Sequence, residues 1–285
     1  MPQILDGKAV AKALSEELKA RTAALASRGV TPTLAIVRVG ARDDDLAYER
    51  GAIKRAQTVG VGIKQFVLAA DSTQGHVDDV IRHVNGELSI HGCLIFLPLP
   101  GGLDEKAVRR ALAPEKDVDG ITAASQAAVY AGRGEGFPPC TAAACMEILK
   151  YYGVDPKGKN AAVLGRSLVI GRPAAMMLMN ANATVTVCHT KTRDAAAVAR
   201  GADILVAAVG HAASVTKEYV NPGQVVLDVG INVNEAGKLC GDVAPEAAEI
   251  AAAYTPVPGG VGSVTTTVLM KHVVEAAERQ LGIKN

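Results

Sequence analysis

Tyr48 stands in the stretch LAYERGAIKRA (46–56), with Arg50, Lys54 and Arg55 following it within two helical turns. A tyrosine and a lysine can form a catalytic pair on a helix only if they share a face. At about 100° per residue, the neighbour of Tyr48 one turn on is residue 52, and that residue is Ala52. Lys54 falls roughly 120° around the helix and Arg50 nearly opposite. Tyr48 therefore has no basic partner on its own face. A second stretch with chemical potential is NAAVLGRSLVIGRP (160–173). It places Gly165 at the end of an apolar run and Gly171 at the opening of a helical pattern, where backbone N–H groups face phosphates in a doubly wound sheet. The spacing departs from G-x-G-x-x-G and, read alone, equally suits a plain glycine turn between strand and helix. The end of the next strand sharpens the reading. It is Cys188-His189-Thr190-Lys191, without the acid that holds the ribose hydroxyls in NAD sites. With Arg166 in the loop, this cationic, hydroxyl-bearing end suits a ribose 2′-phosphate and favours NADP, with NAD as the alternative cofactor.

These residues need a framework. Residues 8–28 have helical apolar spacing through Val10, Ala13, Leu14, Leu18 and Leu25. TLAIVRV (33–39) and GIKQFVL (62–68) read as strands, 45–59 as a helix interrupted by Gly51, 73–88 as a helix, and GCLIFLPLP (92–100) as a strand stopped by its prolines. After the Gly/Pro-rich AGRGEGFPPC (131–140) a helix over 141–152 opens a second series. Its strands are NAAVLG (160–165), ATVTVCH (183–189), DILVAAVG (203–210) and QVVLDVG (224–230), and a last helix covers 264–282. The alternation predicts two α/β domains with parallel sheets, the second a Rossmann-type sheet, with the boundary near 135–142.

At 285 residues the chain has room for two domains. Thirty basic and 29 acidic residues leave no bias toward nucleic acid or an anionic membrane surface, and no apolar run approaches the roughly 18 residues of a transmembrane helix. The N-terminus MPQILDGKAV lacks the build of a signal peptide. Five scattered cysteines (Cys93, Cys140, Cys145, Cys188, Cys240) point to a reducing cytosol, with no disulfide framework or metal spacing. The expectation is a cytosolic protein without a metal.

Further strings carry a resemblance. LDGK (5–8), LPLP (97–100), PEKDVDG (114–120), PCT (139–141), GRSLVIGRP (165–173), CHTKT (188–192), DVGIN (228–232), GDV (241–243) and TPVPGGVG (255–262) occur in this order. In them the chain resembles the methylenetetrahydrofolate dehydrogenase/methenyltetrahydrofolate cyclohydrolase (FolD-type) family over nearly its whole length. The resemblance implies an N-terminal folate-binding catalytic domain (1–138), a Rossmann NAD(P)-binding domain (139–263), a last helix (264–285) returning to the first domain, and a homodimer. It makes Tyr48 and Asp119 the catalytic pair. Tyr48 packs on the folate, and Asp119 accepts hydrogen bonds from the amino group and ring N–H of the pterin, as one carboxylate can; alone, Asp119 would read as a turn aspartate before glycine. Leu97, Pro98 and Leu99, with Pro258, Gly259 and Gly260, complete the substrate set. The cofactor set is Gly165, Arg166, Ser167, Gly171, Arg172, Pro173, His189, Thr190, Lys191, Val209, Gly210, Gly230, Ile231 and Gly262.

The chain also departs from the family pattern. The family's Tyr-x-x-x-Lys lysine falls on Ala52, the Gln before LPLP is Phe96, and the Pro and Met after PGGVG are Ser263 and Val264. The family's Asn-Pro segment is ARDDD (41–45). Hydride removal from methylenetetrahydrofolate needs positioning but no proton acceptor, whereas hydrolysis of the methenyl product needs a general base. The sequence therefore predicts an NADP-dependent methylenetetrahydrofolate dehydrogenase of one-carbon metabolism with cyclohydrolase activity weak or absent. The rivals are a fully bifunctional enzyme whose base is Lys54, Asp119 or water, a non-catalytic binder of folate and dinucleotide, and another Rossmann dehydrogenase.

Overall fold

The computed structural model describes residues 1–283. In chain order it contains β1 (Gln3–Ile4), α1 (Gly7–Ala26), β2 (Thr33–Val39), α2 (Asp43–Val59), β3 (Gly62–Leu68), α3 (Gln74–Gly86), β4 (Gly92–Ile95), α4 (Glu105–Ala111), α5 (Ala123–Ala131) and α6 (Cys140–Tyr151). Then come β5 (Asn160–Leu164), α7 (Gly171–Asn180), β6 (Thr184–Cys188), α8 (Ala195–Arg200), β7 (Ile204–Ala207) and β8 (Val225–Asp228). The chain ends with β9 (Asn232–Val233), β10 (Leu239–Cys240), α9 (Pro245–Ala248), β11 (Ala253–Tyr254) and α10 (Gly262–Gln280). Two compact units result. One is Ala13–Cys140 with Thr266–Asn285, and the other is Met1–Lys12 with Thr141–Thr265. The expected last helix, 264–285, ends at Gln280; its residues 284 and 285 lie outside the described residues.

The first unit holds a parallel sheet ordered β3-β2-β4, in register from Thr33 opposite Gly62 to Val39 opposite Leu68. β2 is buried along nearly its whole length, as a central parallel strand is when both faces are covered. On one side Val37, Val77, Ile81, Val84, Cys93 and Ile95 belong to one core with Val108 of α4. α2 is unbroken at Gly51, contrary to the expected interruption. A Cβ there would meet nothing within 4 Å, and one exposed glycine costs only about 1 kcal/mol of helix propensity. Asp43, Asp44 and Asp45 in its first turn complement the helix dipole, and Gly60, left-handed at φ 78°, closes its end onto the Ala56 carbonyl.

The second unit holds a sheet ordered β1-β11-β8-β7-β5-β6, whose pairings are all parallel. β9 and β10 form a separate antiparallel pair. Residues 1–12 were expected in the 1–138 domain but cluster with this unit. β1 pairs with β11, and the Gly7 N–H donates to the Gly259 carbonyl at 2.9 Å. A two-residue strand carries no periodicity from which its partner could be read.

Candidate active site

In the second unit the loop between β5 and α7 is closed on itself by its glycines. Gly165 sits at φ +108°, and a Cβ there would lie 2.1 Å from the Ala208 carbonyl oxygen; one on Gly171 would lie 2.2 Å from that of Gly165. Either contact is far inside van der Waals distance, so side chains are excluded at both ends of the loop. The Ser167 hydroxyl accepts from the N–H groups of Ile170 (3.1 Å) and Gly171 (3.4 Å), and Arg172 Nε donates to the Arg166 carbonyl (3.1 Å). Pro173 occupies the first turn of α7, where a missing N–H costs nothing. Arg166 and Ser167 are exposed beside it. At the end of β6, His189 Nδ1 accepts from the Lys191 N–H (3.1 Å) and the Thr192 hydroxyl oxygen from the His189 N–H (2.9 Å). Thr190 and Lys191 face solvent, and no carboxylate occurs in 188–193. A glycine-lined cradle between strand and helix and exposed cationic side chains suit the phosphates of a nicotinamide dinucleotide.

Val209 and Gly210 follow β7, Gly230 and Ile231 follow β8, and Ile231 is 70% exposed. Gly262 opens α10, 3.6 Å from Ile231 Cδ1 for a Cβ built on it. Pro258, Gly259 and Gly260 precede it. A Cβ on Gly260 would lie 2.5 Å from the Pro256 carbonyl oxygen, and one on Gly7 would lie 2.0 Å from that of Gly260. LDGK and PGG are thus packed against each other. All of these positions belong to one unit.

In the first unit Tyr48 is 36% exposed on α2, its ring edge-on to Phe96 with centroids 6.0 Å apart. Ala52 is fully buried, and Lys54 and Arg50 point to solvent. The acid next to Tyr48, Glu49, is buried and held by Arg38 (Nε–Oε2 2.8 Å) and by Gln65 (Nε2–Oε1 2.5 Å). Leu97 and Leu99 are half-buried and Pro98 exposed, and the Leu99 N–H donates to Glu105 Oε1 (2.8 Å). Asp119 follows the turn at Pro114–Lys116. Burial pushes its carboxyl up to about 6, opposed by hydrogen bonds from the Cys140 thiol and N–H and by Arg109, and assisted by Asp117. Asp117, fully buried, is spent on the N–H groups of Ile121 (2.9 Å) and Thr122 (2.8 Å).

Sequence reasoning missed the neighbours of Asp119. Cys140 Sγ lies 3.3 Å from the Val118 carbonyl oxygen and 3.7 Å from His272 Nδ1, which is itself 2.8 Å from that oxygen. Burial drives the thiol well above its ordinary range and His272 down to about 4. The string PCT (139–141) contained Cys140, but only the fold brings it to Asp119.

A doubly wound sheet with this loop at its carboxyl edge, joined to a second α/β unit, defines the class: a two-unit nicotinamide-dinucleotide dehydrogenase. Comparison with known proteins narrows the class. Residues 5–119 match the family model of the tetrahydrofolate dehydrogenase/cyclohydrolase catalytic domain, and 139–281 that of its NAD(P)-binding domain. A "Bifunctional protein FolD" of Clostridioides difficile is 50% identical over 98% of this chain and 97% of its own; that of Carboxydothermus hydrogenoformans is 52% identical over 98% of both. Among solved structures, the FolD methylenetetrahydrofolate dehydrogenase/cyclohydrolase of Campylobacter jejuni superposes with a TM-score of 0.94 at 36% identity, over 98% of this chain and 99% of its own. The Trypanosoma brucei enzyme, complexed with NADP cofactor and inhibitor, gives 0.89 at 36% over 99% of each. The chain belongs to the tetrahydrofolate dehydrogenase/cyclohydrolase family.

Proposed function

We propose that the protein oxidises methylenetetrahydrofolate to methenyltetrahydrofolate with NADP, and that its cyclohydrolase activity is weak or absent. The observation that carries the second half is Ala52, fully buried one helical turn from Tyr48. When bound, NADP supplies the hydride acceptor. The cation left on the substrate is stabilised by its own nitrogens, so this chain need only hold the folate in place. Asp119 accepts hydrogen bonds from the pterin, Tyr48 offers its ring face, and Leu97, Pro98 and Leu99 exclude water. Arg166, Thr190 and Lys191 receive the 2′-phosphate. Hydrolysis asks more, because a water must lose a proton as it attacks. One turn from Tyr48 stands the methyl of Ala52, and the ring of Phe96 packs against Tyr48 where a hydrogen-bonding side chain is expected from the resemblance.

A second reading is a fully bifunctional enzyme. It is favoured by Asp119, which at about 6 is poised to take a proton near neutral pH. One assay separates the two: the purified protein is given methylenetetrahydrofolate with NADP or NAD, and separately methenyltetrahydrofolate. Methenyltetrahydrofolate should accumulate with NADP and disappear little faster than in buffer. Rapid loss of the methenyl compound establishes the bifunctional reading, and equal use of both dinucleotides removes the NADP preference. The working form is a homodimer in the cytosol, which light scattering on the purified protein checks for assembly.

A further inference from the structure

Asp228 in DVGIN (228–232) and Asp242 in GDV (241–243) have no role in the reading above, yet the fold interlocks the two segments through them. Asp242, fully buried, accepts the N–H groups of Val209 (2.6 Å), Gly210 (2.9 Å) and His211 (3.1 Å), and the Asn232 side-chain amide (2.9 Å). Asp228, 5% exposed, accepts those of Gly230 (2.9 Å), Asp242 (2.9 Å) and Val243 (3.0 Å). The glycines are reciprocal. A Cβ on Gly230 would lie 2.4 Å from Asp242 Oδ1, and one on Gly241 would lie 1.8 Å from Asp228 Oδ2. Each glycine makes room for the other segment's carboxylate.

Neither carboxylate has a salt-bridge partner among the described residues. Seven donors hold the pair, all of them neutral amides, six from the backbone and one from Asn232. Burying two like charges without a cation is costly, so a requirement other than stability explains them best. Sheet order supplies one. β6 and the β5 loop hold the phosphate-binding groups, and β7 and β8 lie on the other side of β5. A dinucleotide laid across the carboxyl ends of these strands therefore places its nicotinamide half over the ends of β7 and β8. The oxidised ring carries a positive charge and the reduced ring none.

We propose that Asp228 and Asp242 are positioning residues that fix the loops 209–211 and 230–232 and, through their charge, set a preference for oxidised over reduced dinucleotide. Both oxygens of each aspartate accept N–H groups, which a side-chain amide with one acceptor oxygen cannot match, and the carboxylate's charge is what can also discriminate the redox state. Burial lifts Asp228 to about 6, so it is ionised at the pH of the test.

The inference rests on the reading that the dinucleotide crosses these strand ends. Dissociation constants for NADP+ and NADPH are measured by titration calorimetry at pH 8 on the unmodified protein and on Asp242→Asn, Asp228→Asn and Asn232→Lys. Asn232→Lys keeps a donor to Asp242 while adding a cation, and its half-exposed position protects the fold if an aspartate variant does not fold. The ratio of NADPH to NADP+ dissociation constants should fall fivefold or more in the folded aspartate variants and in Asn232→Lys. A ratio unchanged within twofold while both affinities drop leaves the pair a structural clamp and overturns the proposal. Gly171→Ala serves as the check on the site itself. If it leaves both affinities intact, the dinucleotide lies elsewhere and the site reading and the inference fail together; if it weakens both while the ratio stays constant in every other variant, the inference alone fails.

Discussion

A carboxylate that grips a pterin must be charged to accept both of its hydrogen bonds, and burial works against that charge at Asp119. With its carboxyl raised to about 6, folate affinity should be full near pH 8 and decline as pH falls through 6. Titrating a non-reducible folate analogue from pH 8 to 5 checks this, and Asp119→Asn should bind weakly at every pH while keeping NADP affinity. A flat profile in the unmodified protein would remove Asp119 from the pterin. A general acid–base group contributes typically 10²–10⁴-fold to proton transfer, and on the proposed reading Ala52 stands where one is absent. Ala52→Lys with Phe96→Gln should raise methenyltetrahydrofolate hydrolysis by at least tenfold. Ala52→Lys alone should lower the melting temperature instead, because it puts an ammonium at a fully buried position. Lys54→Ala should leave hydrolysis unchanged; if it abolishes a hydrolysis that the unmodified enzyme shows, Lys54 is the base despite its position on the helix.

Elements position these residues through contacts that are narrow in tolerance. The loop after β5 and the end of β6 present Arg166, Thr190 and Lys191, and a charge-assisted contact is worth about 1.5–3 kcal/mol. Arg166→Ala should therefore weaken NADP more than tenfold and leave NAD nearly unchanged, as read by parallel titrations. At the start of α1, Gly7 touches the Pro258–Gly260 turn, and its Cβ would fall 2.0 Å from a backbone oxygen. Overpacking of this kind costs typically 1–3 kcal/mol. Gly7→Ala should lower the melting temperature by several degrees. The same substitution at exposed Gly51, where nothing lies within 4 Å, should be neutral or slightly stabilising.

For the whole molecule, buried titratable groups pull stability in opposite directions with pH. His272 is lowered from 6.5 to about 4, so its contribution is present above 6.5 and is lost as pH falls toward 4. Asp119 and Asp228 are raised from 3.8 to about 6. Their contributions are full below 3.8 and are lost as pH rises through 6. Between pH 4 and 6 the two kinds of group offset one another. His272→Asn keeps a donor for the Val118 carbonyl but removes the proton site. Its melting temperature relative to the unmodified protein should therefore improve as pH falls from 7 to 5; a constant difference would mean that His272 titrates normally.

The sequence by itself determined the strands β2 and β3 to the residue, the long helices, the glycine loop at 165–171 and the alanine one turn from Tyr48. Each of these is a local signal: a run of β-branched residues, a 3.6-residue period, or two residues a turn apart. It could not place Gly51, where an exposed helix tolerates the glycine, nor residues 1–12, whose strand is too short to have a pattern. Only the tertiary structure decided that Gly7 meets Gly260, that Cys140 bonds Asp119, and that Asp228 and Asp242 each occupy the space left by the other's glycine. Those pairs are separated by stretches of chain that no periodicity spans. Their energetics come from desolvation and close approach, which exist only once the segments have been packed together.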